Sequence, residues 1–251
     1  METIIPKTST ALATLLRADF TTQWRNRRAV ILTLIVPVII LVSWKGLIPI
    51  FGGPFALSNS ITIGLVASGL MGYSNSIARD RDKGIFQRLR VAPVPSWAIM
   101  GSRLLVQLAM ILMVVTAVFI VGNQYDKITL TPAGYVLSYF TAILGGMVYL
   151  SLGQMIVGRI QNPETVNSTS RLIYFVFIMV GMFSELSLDK IGKQIHDIVI
   201  WSPYGTVKTM LAASMEPAKW NNDTTMALLA TVLYTIVFST LGIKWFKWNT
   251  K

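Results

Sequence analysis

Residues Arg79–Arg90 read RDRDKGIFQRLR, and seven of these twelve side chains are charged. Pro93, Pro95 and Trp97 follow closely, and long apolar runs lie on both sides. The chemistry open to this stretch is docking. Ile85, Phe86 and Leu89 fall on one side of a short helix, with Arg81, Lys83, Arg88 and Arg90 around them. Gly84 offers a point where a preceding helix can turn, and the prolines stop any helix beyond. A basic loop alone satisfies the rule that inner loops of membrane proteins are positive. An apolar face closed off by prolines exceeds that need and points to a short helix that fits into another protein.

Other chemistry is scarce. There is no cysteine, hence no disulfide, iron–sulfur cluster or thiol nucleophile. No Walker A pattern is present, so the chain is not expected to hydrolyse ATP. His196, the single histidine, has Asp197 beside it but no further ligands, which makes no metal site. No nucleophile and base can be paired, so no catalytic residue is assigned. The apolar segments hold almost no acid or histidine, and Glu185 lies at the edge of one. An ion-driven transporter keeps such groups at mid-membrane, so ion coupling is disfavoured. The polar residues inside the segments are neutral: Ser68, Tyr73, Ser74, Asn75, Gln107, Thr116, Tyr149, Gln154, Asn167 and Tyr174. Two uses stay open for them. One is hydrogen bonding between helices, helped by small residues such as Gly145 and Gly146. The other is a weakly polar substrate route, for which Ser68, Tyr73, Asn75, Tyr149, Tyr174 and Phe177 are the candidates.

The elements that position these groups are set by composition. Of 251 residues 53% are hydrophobic and 13% charged, with mean hydropathy +0.58. A soluble domain carries about 25% charged residues, so the solvent is a bilayer. Six apolar segments are expected, near 29–44, 56–78, 99–122, 133–158, 170–187 and 225–246. A helix needs about 20 residues to cross, and the first and fifth are short; the first is able to continue to Phe51. With an inner N-terminus, the 16 bases outside the outer loops face the cytoplasm and six face outward. The formal net charge of +11 is then a topology signal with both termini inside. In a soluble chain it would suggest nucleic acid; here it does not. The first 28 residues do not form a secretory signal.

The expected fold is thus an all-α membrane protein of six transmembrane helices, with residues 1–28 as an N-terminal unit and 29–251 as the spanning domain. Leu12, Leu16, Phe20 and Trp24 recur at four-residue steps, as in an amphipathic helix lying at the interface. It either anchors the chain or passes motion to the first span. Between spans five and six, Leu188, Ile191, Ile195 and Ile198 suit one short outer helix, and Val207, Met210, Leu211 and Ser214 a second after Ser202-Pro203. They read as a partial dip back into the outer leaflet, with a plain loop as the alternative.

The charged stretch resembles the first cytoplasmic loop of the type-2 ABC exporter permeases, whose pattern runs roughly Arg-Glu-x-Gly-Thr-Leu/Phe-Glu-Arg-Leu-x-x-Thr-Pro. Arg81, Lys83, Gly84, Phe86, Arg88, Leu89 and Pro93 fit it, Asp82 stands for Glu, and Ile85, Gln87 and Ala92 depart from it. WSPYGTVKTMLAAS from Trp201 is similar to the family's Ser-Pro segment before the last span. The resemblance implies a permease of the drug and antibiotic exporter branch, multi-pass in a bacterial inner membrane. It implies a second permease chain, an identical one being expected, and a separate cytoplasmic ABC ATPase that holds ATP and Mg; this chain would bind no cofactor. Residues Arg81–Arg90 would be the coupling helix that sits in the ATPase. The substrate implied is a small amphipathic drug, antibiotic or lipid-like molecule reached among membrane lipids. Export of polysaccharide or lipid-linked glycan, and a sensing or immunity permease working with a signalling system, are the alternatives.

Overall fold

A computed structural model describes residues 8–90, 95–186 and 198–246. Among the described residues the chain is helical, without a strand. The helices are α1 (Thr8–Arg25), α2 (Arg27–Ser43), α3 (Gly53–Asp82), α4 (Ile85–Arg90), α5 (Ser96–Gln124), α6 (Pro132–Arg159), α7 (Pro163–Leu186), α8 (Pro203–Met215) and α9 (Asn222–Trp245). After α2 the chain stays helical through a tight turn at Lys45–Leu47 and a last turn at Ile48–Phe51, which makes one apolar run of Val30–Phe51. Gly52, at φ +90°, ends it.

Helix starts follow local rules. Thr131 accepts a hydrogen bond from Gly134 N ahead of Pro132, and Ser202 accepts one from Gly205 N ahead of Pro203. Each pairs a side-chain cap with a proline at the first helical position, where the missing N–H is not needed. The Ser-Pro pair therefore starts α8, which buries Val207, Met210, Leu211 and Ser214. Of the first expected outer helix, Leu188, Ile191 and Ile195 lie outside the described residues, as does Pro93, while Ile198 is described and exposed.

Among the described residues, five helices are long and apolar enough to cross a membrane: Val30–Phe51, α3, Trp97–Gln124, α6 and α9. The expected fifth segment forms part of α7, but α7 opens with the polar run PETVNSTSR, and its apolar part begins only at Leu172. It is not among the five. Burial separates them. In their most apolar stretches α3 is 78% and α6 67% buried, against 17% for both Val30–Phe51 and α9.

α6 is central because small residues let its neighbours approach. A Cβ on Gly145 would meet Val207 of α8, and one on Gly146 would meet Ile111 of α5. A Cβ on Gly153 would lie 2.5 Å from the Gly69 carbonyl oxygen of α3, and one on Gly69 would lie 2.5 Å from the Tyr149 backbone. Lipid supplies no hydrophobic drive between helices, so close packing and hydrogen bonds must hold them. At this crossing α3 widens into π-helical turns over Ala67–Ser74.

These contacts predict that Gly69→Ala lowers thermal stability of the purified chain by about 1–3 kcal/mol, the usual range for overpacking. Gly101 in α5 has open space around its Cβ position. Gly101→Ala is therefore expected to be neutral or to stabilise by up to about 1 kcal/mol. Thermal melts of both variants in detergent check the contrast.

Candidate functional site

α3 continues its last turns into the charged stretch. The chain then reverses at Lys83 and Gly84, where Gly84 adopts φ +67° and its N–H donates to the Arg81 carbonyl at 3.0 Å. α4 starts directly after. The expected turn and short helix are therefore both present, but the side chains are not disposed as the pattern suggests. Arg81 is not on a basic rim. It is 1% exposed and lies under the end of α6. Its guanidinium donates to the carbonyls of Val157 (2.6 Å), Ile160 (2.6 Å) and Gln161 (3.1 Å). Val157 lies in the last turn of α6, where carbonyls lack intrahelical donors and carry the negative end of the helix dipole, while Ile160 caps the helix and Gln161 follows it. The flat, forked guanidinium suits several acceptors at once.

Phe86 is likewise turned inward and fully buried. Its ring meets Phe246 edge-on at 6.1 Å between centroids, and the Arg103 guanidinium carbon sits 5.2 Å from its centre. Asp82, Lys83, Gln87 and Arg88 point outward, while Gly84, Ile85 and Leu89 are half-buried. The docking face is thus more polar than Ile85, Phe86 and Leu89 alone imply. Phe86→Ala is therefore expected to destabilise the fold, since truncation of a buried Phe costs about 3–5 kcal/mol.

Arg103 joins three elements. It pairs with Asp80 of α3 through Nη1 and with Asp19 of α1 through Nη2 at 3.8 Å. Asp19 also accepts from the Ser102 hydroxyl at 2.6 Å. The side chain of Arg103 is 12% exposed and each carboxylate 19%. From its position near an inner helix end it reads as a side chain that reaches out to water; it instead bridges α1, α3 and α5 and stacks on α4. α1 accordingly packs on α5, the third apolar helix, with Phe20 and Trp24 stacked and exposed. Arg159 and Arg171, also near inner helix ends, are exposed.

The proposed route residues are mostly spent on packing. Ser68 is buried and bonds the Gly64 carbonyl. Tyr73 donates to Gln154 Oε1 at 2.7 Å, and Tyr149 donates to the Pro203 carbonyl at 3.0 Å. Asn75 donates to the Met71 carbonyl at 3.0 Å and reaches Asn167 at 3.4 Å. Phe177 is half-buried between Tyr149 and Tyr204, and Tyr174 is half-buried on α7. The polar network reaches further than these residues. Tyr204 donates to Asn59 Oδ1 at 3.0 Å, Ser74 meets Ser170 at 2.9 Å, and Ser138 and Thr141 meet Ser214. Single neutral polar residues in apolar runs are the signal for them, but only the fold pairs them. Asp19 and Asp80 carry a better signal, since an acid among inner bases invites a search for its base.

A buried polar lattice among spanning helices, with a short basic helix pinned to its end, is the build of a transporter's membrane subunit. The profile of the ABC-2 type transporter family matches residues 10–188, and the chain belongs to that family. It is similar to YvfS of Bacillus subtilis (strain 168), which carries the name of a transport permease. The two are 21% identical over 189 residues, 74% of each chain. The family is a membrane permease component of ABC transporters, and the ABC ATPase partner follows from it in general terms.

Arg81→Met would leave three helix-end carbonyls without a donor. Hydrogen bonds to a charged group contribute about 1.5–3 kcal/mol each. The variant is expected to lose at least one such increment in thermal stability. Arg81→Lys should lose somewhat less, because a lysine cannot fork across all three acceptors. Melting curves of the three proteins give the order.

Proposed function

We propose that the chain is the membrane half of an ATP-driven exporter, working as two copies with two ATPase subunits that hold ATP and Mg. α4 and the turn before it, Arg81–Arg90, act as the coupling element. The observation that carries this reading is mechanical. A six-residue helix at a loop tip would ordinarily swing free, yet α4 is seated by Phe86, backed by Arg103 and joined through Arg81 to the end of α6. Force applied to its outward residues, Asp82, Lys83, Gln87 and Arg88, would reach α1, α3, α5 and α6 through buried contacts.

On this reading α7 serves as a sixth span inside the complex, with its polar start at the cytoplasmic end, where Asn167 and Ser170 meet Asn75 and Ser74 of α3. Both termini and α4 are cytoplasmic in a bacterial inner membrane, α1 lies at the headgroup level, and α8 is a helix of the outer leaflet. The exposed apolar faces of α2, α7 and α9 meet lipid or the second copy. The cargo is a small amphipathic drug, antibiotic or lipid-like molecule. Support for that class is the neutral, aromatic character of the packed helices, with Tyr174 and Phe177 the half-buried candidates for contact.

The test is copurification. The chain expressed in its own membrane is expected to bring down a Walker A-containing ATPase subunit. Lys83→Glu with Arg88→Glu, both on the outward face, should abolish that association while leaving the melt unchanged. Retention of the ATPase in the double variant, with transport intact, overturns the coupling assignment.

A further inference from the structure

We infer that a cavity at the α4 end of the chain, between α1, α3, α4 and α5, binds a small amphiphile with an ammonium head group. The cavity is about 250 Å³, where about 150 Å³ is enough to admit benzene. Gln107 of α5 lines it. This residue is 4% exposed and its carboxamide makes no hydrogen bond among the described residues, with its oxygen 3.3 Å from the position of a Cβ on Gly72. An amide that lines the cavity without a protein partner is open to an occupant as both donor and acceptor.

The charged lining says which kind. Asp19 and Asp80 both face the cavity, and the base beside them is Arg103. Two carboxylates against one guanidinium leave the charged lining one negative charge in excess. Each carboxylate has more acceptor sites than Arg103 fills, and an ammonium brings three donors and no acceptor. Carboxylate oxygens and Gln107 Oε1 are therefore its complement. Leu15, Ile77, Ile85, Leu89 and Val106 supply apolar wall for a short chain. Ala18 and Thr22 of α1, both exposed, form the rim. An occupant touching Ile85 and Leu89 bears directly on α4. That consequence rests on the coupling reading, whereas the binding itself does not.

The experiment is calorimetric titration of the full chain in lipid nanodiscs with octylamine, octanol and octanoate, each corrected by protein-free nanodiscs. Octylamine is expected to bind saturably at one site per chain, octanol at least ten-fold more weakly, and octanoate not at all. Gln107→Leu, close in volume, should weaken octylamine about ten-fold with little effect on octanol. Ala18→Trp, placed on the exposed rim, should block octylamine without touching the packed helices. Octylamine uptake no greater than that of empty nanodiscs overturns the proposal. So does equal binding of octanoate, or octylamine affinity unchanged in both variants. Loss of ATPase copurification in the outward α4 variant bears on the coupling reading only and leaves this result standing.

Discussion

The bare backbone contact between Gly69 of α3 and Gly153 of α6 sets the geometry of everything below it. Here each residue would drive a Cβ into the other helix's main chain. The approach fixes how far α3 stands from α6, and the helices below it must then match. Tyr73 can reach Gln154 only because the axes are this close. Ser74 and Asn75 then meet Ser170 and Asn167 of α7. Two turns further on, Arg81 arrives beneath the last carbonyls of α6. The π-helical stretch Ala67–Ser74 lies at the same point. Such a widened turn shifts the phase of all later side chains relative to a regular helix. The crossing and the widened turn together decide where Arg81 and the start of α4 fall.

Two buried or nearly buried arginines solve the cost of desolvation in different ways. Arg81 finds no need of a carboxylate, because three helix-end carbonyls and the helix dipole supply negative potential. Arg103 takes two carboxylates and an aromatic face. The consequence differs. A carbonyl clamp is part of the backbone and moves only with α6. The Arg103 cluster joins side chains from separate helices, so it is the softer of the two joints. The charged stretch therefore contains two populations of base that its sequence writes alike: Lys83 and Arg88 face outward, while Arg81 is structural.

Much of the architecture was legible from the chain. The apolar runs placed the helices to within a few residues, Gly84 marked the reversal and Pro132 and Pro203 mark starts. What was not legible has physical reasons. A six-residue amphipathic helix shows which residues share a face but not whether that face meets its own chain or a partner, so Phe86 was assigned outward and lies inward. The sequence leaves Tyr73 and Tyr149 open to both route and packing, and only their partners, Gln154 and the Pro203 carbonyl, distinguish the two. No local pattern marks the widened turns in α3. The fifth segment shows a boundary that hydropathy misses: α7 starts at Pro163, seven residues ahead of the expected apolar segment, through the largely polar stretch PETVNSTSR.

On the proposed coupling role, the way α4 is held constrains how motion passes through it. Its contacts leave by two paths, one through Arg81 to the end of α6 and one through Phe86 and Arg103 to α5 and α1. α6 is the most shared helix of the fold, packing on α3, α5, α8 and α9. A displacement entering by Arg81 therefore spreads to α8 and α9 through close-packed small residues, which deform little. A displacement entering by Arg103 meets ion pairs and a cavity, where there is room to give. If α4 is pushed as a unit, the α6 side must move as a rigid body while the α1–α5 side adjusts. The hinge then lies in α3 itself, between the Gly69 crossing and Gly84, where the widened turns break the regular hydrogen-bond ladder.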